Sequence, residues 1–483
     1  MKKTLLCAIV GILVVSPAAA QTVDTIALWN GATGLTPFGI PAYGTYGQTF
    51  TVTQGAILQR VDFLVGNCAA GLDFRFELYA WDGAKATGPA IRESSVITLP
   101  TSPLWSFVSV TTRVALVPGE YVLFASTARD QAGAPNSVCN FAAVLDPATY
   151  TGGRFVFLNS AANPNLWTGT TWGTYPADLA IRAVMTPASP AGIDFSNDFR
   201  TDFAVVRNTG GGALGDVTWL ISDNVTGVFT NTIWGNASDW FVPADYDGDG
   251  KTDVAIWRPG PVGTAGFWIK YSSTGATGFT AFGQTGDDPR VVGDYDGDGK
   301  VDMAVYRSGA SAGLPSFWYY VRSSDGMLGT IGWGQYGDTP APGDYDGDGK
   351  FDAAVRRDAG GGFAQYWLHQ STAGDTAIYF GTPTDRIVPG DFDGDKKTDL
   401  AVVRSGGGTL TWWVRRSSTG VVAGQTFGLT GDNITPGDYD GDGRTDFSVW
   451  RSGTFWVSGS WVGVFNRAWG VAGDFPIASF NVR

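Results

Sequence analysis

The chain has 483 residues and a formal net charge of −13, long enough for two or more domains with separate cores. Glu occurs only as Glu77, Glu93 and Glu120, so nearly all the acid is Asp. That balance excludes the basic surface that nucleic-acid binding requires, and no nucleic-acid partner is expected.

Residues 1–20 read as a secretory signal peptide. Lys2 and Lys3 form a positive start, residues 5–15 an apolar stretch, and Ala18 and Ala20 flank a small-residue cleavage site. Cys7 lies inside the apolar stretch, which argues against a lipoprotein anchor. No later apolar run approaches the roughly 18–20 residues needed to cross a bilayer. The processed chain, cut near Ala20, is therefore expected to be secreted or periplasmic, without a membrane span. Its two remaining cysteines, Cys68 and Cys139, are expected to pair in an oxidising compartment; two separate buried thiols are the alternative.

Residues 21–186 carry short alternating runs such as Val61, Phe63 and Val65, or Phe74, Phe76 and Leu78, broken by Asn, Gly, Pro and Asp clusters. Half-buried antiparallel strands read this way. A run of them predicts an all-β sandwich, of unassigned role. Residues 187–193, with two prolines and small residues, read as a linker.

From residue 194 to the end the chain repeats itself. Asp-rich loops start at Asp194, Asp245, Asp294, Asp344, Asp391 and Asp438, 47 to 51 residues apart. Self-similarity at this period indicates a propeller or solenoid. Each unit reads as four strands: one leading into the loop, one following it, one bearing a Trp, and one ending in an aromatic–Gly pair. Six four-stranded propeller blades are expected. A parallel β-helix is the runner-up, although its coils are usually shorter. Residues 475–480 resemble a first strand without a loop. They are expected to pair into the blade begun near Asp194; a short seventh blade is the alternative.

In the clearest loop Asp245, Asp247, Asp249 and Asp253 stand at positions 1, 3, 5 and 9, with Gly at 4 and 6. Carboxylates so crowded call for a cation. Calcium takes six to eight hard oxygen ligands in flexible geometry, and Lys251 at position 7 would add its backbone carbonyl. Glycine permits the sharp turns. No Cys or His is near, which disfavours zinc. The same set recurs as Asp294, Asp296, Asp298, Lys300 and Asp302, and as Asp344, Asp346, Asp348, Lys350 and Asp352. It returns as Asp438, Asp440, Asp442, Arg444 and Asp446. Asp391, Asp393, Asp395, Lys397 and Asp399 form a further copy in which Lys396 replaces the second Gly. About five Ca2+ ions are expected. The first loop keeps Asp194, Asp198 and Asp202 but has Ser196, Asn197 and Phe199 at positions 3, 4 and 6, so weak metal binding or none is expected there. Position 12 falls inside an alternating strand, where an EF-hand has Glu and a helix.

The repeats resemble the FG-GAP or VCBS family, the calcium-loop blades also found in integrin alpha subunits. The aromatic–Gly pair matches the FG, Ala-Pro-Gly or Thr-Pro-Gly before the loop approximates the GAP, and GDYDGDGKTD is the signature loop. The resemblance covers roughly residues 191–483 and implies a calcium-loop propeller serving adhesion, ligand recognition or lectin activity, or accompanying an exported enzyme. The stretches Trp81-Asp82-Gly83 and Pro118-Gly119-Glu120-Tyr121 are loosely similar to jelly-roll modules of exported bacterial proteins.

Three recurring features admit both a structural and a functional reading. Arg207, Arg258, Arg307, Arg357, Arg404 and Arg451 follow the loops, and Asp239, Asp287, Asp338, Asp385, Asp432 and Asp474 precede the next loop or lie in the tail. They are expected to pair and tie strands. Trp219, Trp268, Trp318, Trp367, Trp413 and Trp456 are expected to fill the space between blades rather than stack on sugars. Tyr319, Tyr320 and Trp461 are better placed to be exposed. For catalysis there is little: His369 is the only histidine, and no Gly-x-Ser-x-Gly, HExxH or phosphate loop occurs. The expectation is a non-enzymatic exported protein presenting a propeller surface to a glycan or cell-surface partner. An enzyme or accessory acting on extracellular polysaccharide, and a scaffold whose sandwich does the recognition, are the alternatives.

Overall fold

The computed structural model describes residues 22–39, 44–68, 72–99, 101, 104–130, 139–145, 150–160, 163–188 and 192–478. The expected signal peptide, and Ser479 and Phe480 of the tail, lie outside them. The chain divides into two compact units, residues 1–112 with 118–187, and residues 113–117 with 188–483. The predicted linker is shorter than residues 187–193. Pro187 still pairs with Ala56 in a strand, and Ile193 is already buried in the core of the first blade.

The first unit is an antiparallel sandwich of two seven-stranded sheets. One is built around Ala56–Gly66, with Ile181–Pro187 and Cys139–Val144 as neighbours. The other is built around Gly119–Ser126, between Thr45–Val52 and Leu72–Trp81. Because side chains alternate along a strand, Val61, Phe63 and Val65 from one sheet and Phe74, Phe76 and Leu78 from the other all turn inward and are buried. Phe141 sits at their junction, in edge contact with Phe38, Tyr46, Phe63 and Phe74. Cys68 and Cys139 form a disulfide with their Cα atoms 4.1 Å apart. The one α-helix among the described residues is the single turn Leu166–Gly169, whose Trp167 packs with Tyr79, Phe124 and Trp172.

The second unit is a six-bladed propeller. Blades 2 to 6 each take their four strands from consecutive sequence. In blade 3 the first strand is reduced to a single bridge, Asp288 to Tyr306. Blade 1 takes Phe203–Asn208, Asp216–Ser222 and Phe229–Asn236 from its own repeat. Its first strand, Phe475–Ile477, comes from the tail, with Ile477 opposite Ala204 and Phe475 opposite Val206. The tail thus closes the ring, and there is no seventh blade among the described residues.

Six apolar cores lie at the seams between neighbouring blades. In each, the strand after a loop meets the preceding blade: Ile256 joins Trp219, Val305 joins Trp257, and Val449 joins Trp412. The aromatic–Gly pair has a definite task here. In five blades its aromatic carbonyl accepts the indole N–H of a buried Trp (Trp219, Trp257, Trp318, Trp412 or Trp450) at 2.9–3.3 Å. Its Gly follows at positive φ, +84° at Gly235, where a side chain would be strained.

All six Arg–Asp pairs form, with both carboxylate oxygens engaged by the guanidinium at 2.6–2.8 Å. One carboxylate oxygen also accepts the N–H that follows the aromatic–Gly pair, as Asn236 donates to Asp239. These pairs serve the blade.

The expectation for the Trp residues needs correction. Trp219 and Trp318 are buried, but Trp413 and Trp456 are 36% and 38% exposed. Strand alternation explains this: the adjacent residues Trp412 and Phe455 take the core-facing position. At three other seams a Trp of the aromatic–Gly pair reaches across to the neighbouring third strand, Trp234 to the carbonyl of Trp268, Trp333 to that of Trp367 and Trp469 to that of Leu220. The blades before Trp413 and Trp456 carry Phe380 and Phe427 there, which have no N–H to donate, and those two rings stay open to solvent. Tyr319, Tyr320 and Trp461, expected to be exposed, are half-buried; Tyr320 rests on Tyr295 at 5.0 Å.

Candidate metal centres

Each of the five full Asp-rich loops turns between the first and second strands of its blade, while the first loop leads only into the second strand, Phe203–Asn208. In the five full loops the residue before position 1 bridges to position 9, as Ala244 does to Asp253. The position-9 carboxylates are buried. Each accepts the N–H of position 2 on one oxygen and an N–H from the hairpin between strands three and four on the other; Asp253 takes Tyr246 at 2.9 Å and Ser272 at 2.7 Å. Position 1 organises the turn. Asp245 accepts Gly248 N–H at 2.6 Å and Gly250 N–H at 2.9 Å, both glycines at positive φ. Lys396 adopts φ +70° to keep the same turn without glycine.

This turn brings carboxylates together. Oxygens of Asp245, Asp247 and Asp253 lie within 4.8 Å of one another, as do those of Asp294, Asp296 and Asp302, of Asp391, Asp393 and Asp399, and of Asp438, Asp440 and Asp446. In the fourth blade the trio is Asp344, Asp346 and Asp348. Elsewhere the position-5 residues Asp249, Asp298, Asp395 and Asp442 stand outside the trio, each holding the N–H of position 7 at 2.8–3.0 Å. Position 7 itself (Lys251, Lys300, Lys350, Lys397 or Arg444) has a second role. From Lys300 onward its side chain packs over the position-4 Gly of the preceding loop, and Lys397 Nζ donates to the Asp346 carbonyl at 2.8 Å.

The donor set fits a hard divalent cation. Asp346, Asp393 and Asp440 each have a buried Oδ1 without a hydrogen-bond partner, although buried polar atoms are ordinarily satisfied. These three oxygens belong to position 3, and Asp442 and Asp198, at position 5, each have a buried Oδ2 in the same state. Burial, reinforced by neighbouring carboxylates, pushes Asp253, Asp352 and Asp391 up to about 6, and raises Asp438 and Asp446.

A carboxyl raised in the fold above its unfolded value of about 3.9 binds its proton more tightly when folded. Without a bound cation the propeller therefore loses stability as pH rises from about 4 through about 8, the value to which Asp446 is pushed. Taking metal-stripped protein from pH 7 to pH 5 should raise its melting temperature. With calcium present the same change should lower it, since protons then compete with the ion. A melting temperature that falls on acidification in both series would refute this charge assignment.

The first loop keeps the backbone and loses the cluster. Asn197 and Phe199 adopt φ of +64° and +63° at the glycine positions. Asp194 accepts the N–H groups of Ser196, Asn197 and Phe199, and the Ser196 hydroxyl donates to it at 3.2 Å, where other loops present a third carboxylate. Asp202 is a buried pin between Phe195 and Asn224, and Asp198 keeps a buried Oδ2 without a hydrogen-bond partner.

Two further features escape a reading of the sequence. The loops form a closed hydrogen-bonded ring, in which the position-8 N–H of each loop donates to the position-1 carbonyl of the preceding one at 2.6–2.9 Å. The last link runs from Thr201 back to Asp438. Hydroxyls from the hairpin between strands three and four also reach the carboxylates. Ser272 and Ser273 donate to Asp249 and Asp247, Ser323 and Ser324 to Asp298 and Asp296, and Ser417 and Ser418 to Asp395 and Asp393. Ser371 and Thr372 both donate to Asp348.

Residues 391–449 match the model of the FG-GAP-like repeat family. The matched segment spans the loops of blades 5 and 6, and the same loop pattern recurs in the other blades of the six-bladed propeller. No curated protein matches the chain. Among solved structures it is similar to a provisionally assigned 6-phosphogluconolactonase from Bacteroides fragilis, with 13% identity, a TM-score of 0.34, and coverage of 58% of this chain and 96% of that one. It is also similar to a DUF4784 family protein from Bacteroides caccae, with 12% identity, a TM-score of 0.30, and coverage of 90% and 96%.

Outside the FG-GAP-like loops, the densest charge is in the sandwich. Glu77 and Glu93 are cross-strand partners joined by Arg129, 3.7 Å from Glu77 and 2.5 Å from Glu93. Glu77 is fully buried, and burial pushes it up to about 8. A substrate has no access to it.

Proposed function

We propose that this is an exported calcium-binding protein whose FG-GAP-like propeller, stapled by about five ions, presents a recognition surface to a glycan or cell-surface partner. The observation that carries the metal reading is the set of five carboxylate clusters, three of them with a buried, unpartnered position-3 oxygen. Positions 1, 3 and 9 would hold the ion, with position 1, 3 and 5 serving in the fourth blade. A bound calcium supplies the positive charge that lets these carboxylates stay ionised together. The disulfide accords with export to an oxidising compartment.

Recognition rests on Trp413 and Trp456, which are 36% and 38% exposed at two consecutive seams. The Trp413 ring lies over Gly424, which has no side chain to cover it. Flat aromatic faces beside polar groups suit sugar rings or apolar side chains of a partner. The full chain should bind members of a glycan or surface-protein array in calcium. Trp413→Ala with Trp456→Ala should weaken binding at least tenfold without lowering the melting temperature by more than a few degrees. Undiminished binding by that variant would refute the seam as the contact surface, and turnover of a polysaccharide by the intact chain would overturn the non-enzymatic reading.

A further inference from the structure

We propose that the paired hydroxyls of the hairpin between strands three and four are positioning residues of the metal centres, so that each site spans two hairpins of its blade. The inference rests on the calcium reading above. Its ground is how the position-3 carboxylate divides its oxygens. In blade 5, Ser418 Oγ donates to Asp393 Oδ2 at 2.5 Å, while Asp393 Oδ1 is buried without a partner. The hydroxyl holds one oxygen and thereby turns the other into the cluster with Asp391 and Asp399. Ser417 Oγ holds Asp395, and its backbone N–H holds Asp399 at 2.6 Å. Two adjacent residues thus hold three carboxylates of the centre.

Blade 6 supports the same division by different means. There Trp461 replaces the second hydroxyl, and the N–H groups of Trp461 and Val462 donate to Asp440 Oδ2 at 2.9 and 3.0 Å. Asp440 Oδ1 is again left buried and unpartnered. The requirement met in both blades is a donor on Oδ2, whichever group supplies it. Groups that orient metal ligands in this way typically contribute 10- to 100-fold to affinity.

The test uses the full chain and calcium alone, titrated by calorimetry, with terbium luminescence as a second readout. Ser417→Ala with Ser418→Ala keeps the backbone donor to Asp399 and removes both hydroxyls. The unaltered chain should load about five ions. The variant should load four with unchanged affinity and one weakened 10- to 100-fold, and Ser418→Thr in place of Ser418→Ala should restore much of the loss. Its melting temperature in excess chelator should equal that of the unaltered chain, because the hydroxyls act through the loaded site. Five sites of unchanged affinity, or an equal drop in melting temperature with and without calcium, would overturn the proposal. Absence of binding by the unaltered chain would instead bring down the calcium reading, and this one with it. Ser272→Ala with Ser273→Ala repeats the test in blade 2 should the first variant fold poorly.

Discussion

Excess chelator at neutral pH should lower the melting temperature of the propeller by roughly 20 °C or more, while the transition of the sandwich stays in place. The size follows from mass action. A site held at about 100 times its dissociation constant stabilises the folded state by about 2.7 kcal/mol, so five such sites contribute about 13 kcal/mol. A domain of this size loses about 2–4 °C per kcal/mol. The sandwich serves as an internal reference, since all five carboxylate clusters among the described residues belong to the propeller. The loss should be steeper than a sum of independent sites. Each loop is hydrogen-bonded to the next through the residue before its position-9 carboxylate, so loosening one loop loosens its neighbour. Differential scanning calorimetry with and without chelator, with elemental analysis for ion count, checks this. One ion per chain or none, or a propeller transition unmoved by chelator, would sink it.

What could be read in the sequence, and what could not, follows from how local each signal is. The Asp loops were legible because positions 1, 3, 5 and 9 lie within nine residues of each other, and the crowding shows on the page. The closing tail was legible for a similar reason: residues 475–478 keep a first-strand pattern with no strand after it. Ser272, Ser323, Ser371 and Ser417 were missed. They stand 26 to 29 residues after the loop start, and serine before a turn has an ordinary explanation. The signal that would have found them is the recurrence of Ser-Ser or Ser-Thr at the same turn in four blades. The Trp residues failed differently. Aligning Trp413 and Trp456 with Trp219 by their place in the repeat is off by one residue, and in a strand one residue is the opposite face. The sandwich was legible as alternation in Phe74, Phe76 and Leu78, but the pairing of Glu77 with Glu93 depends on a register with a bulge between Leu78 and Ala80.

Truncating the chain after Gly473 should destabilise the propeller by about 5 kcal/mol or more and make it aggregate. Five of the six seams join blades that follow one another in the chain; the seam between blades 6 and 1 is joined by side chains, the tail and the backbone link from Thr201 to Asp438. The truncation removes Ile477, fully buried, and Phe475, packed on Phe241 at 5.6 Å. Burial of two such side chains is worth about 1.5–3 kcal/mol each. It also exposes the edge of Phe203–Asn208, a row of unpaired backbone groups open to other chains. It removes Asp474, whose carboxylate is bonded through both oxygens to Arg207, 267 residues away in sequence. That pair allows a graded version of the experiment. Asp474→Asn and Asp239→Asn break the same chemical contact, but Asp239 and Arg258 lie 19 residues apart within one blade. If the contact matters only locally, the two variants should lose similar stability, about 1–3 kcal/mol. If the tail is the clasp of the ring, Asp474→Asn should in addition open blade 1 to protease before global unfolding, whereas Asp239→Asn should not. Limited proteolysis across a temperature series distinguishes these outcomes, and equal cleavage of both variants, together with an unchanged melting temperature for the truncated chain, would show that the ring closes without its clasp.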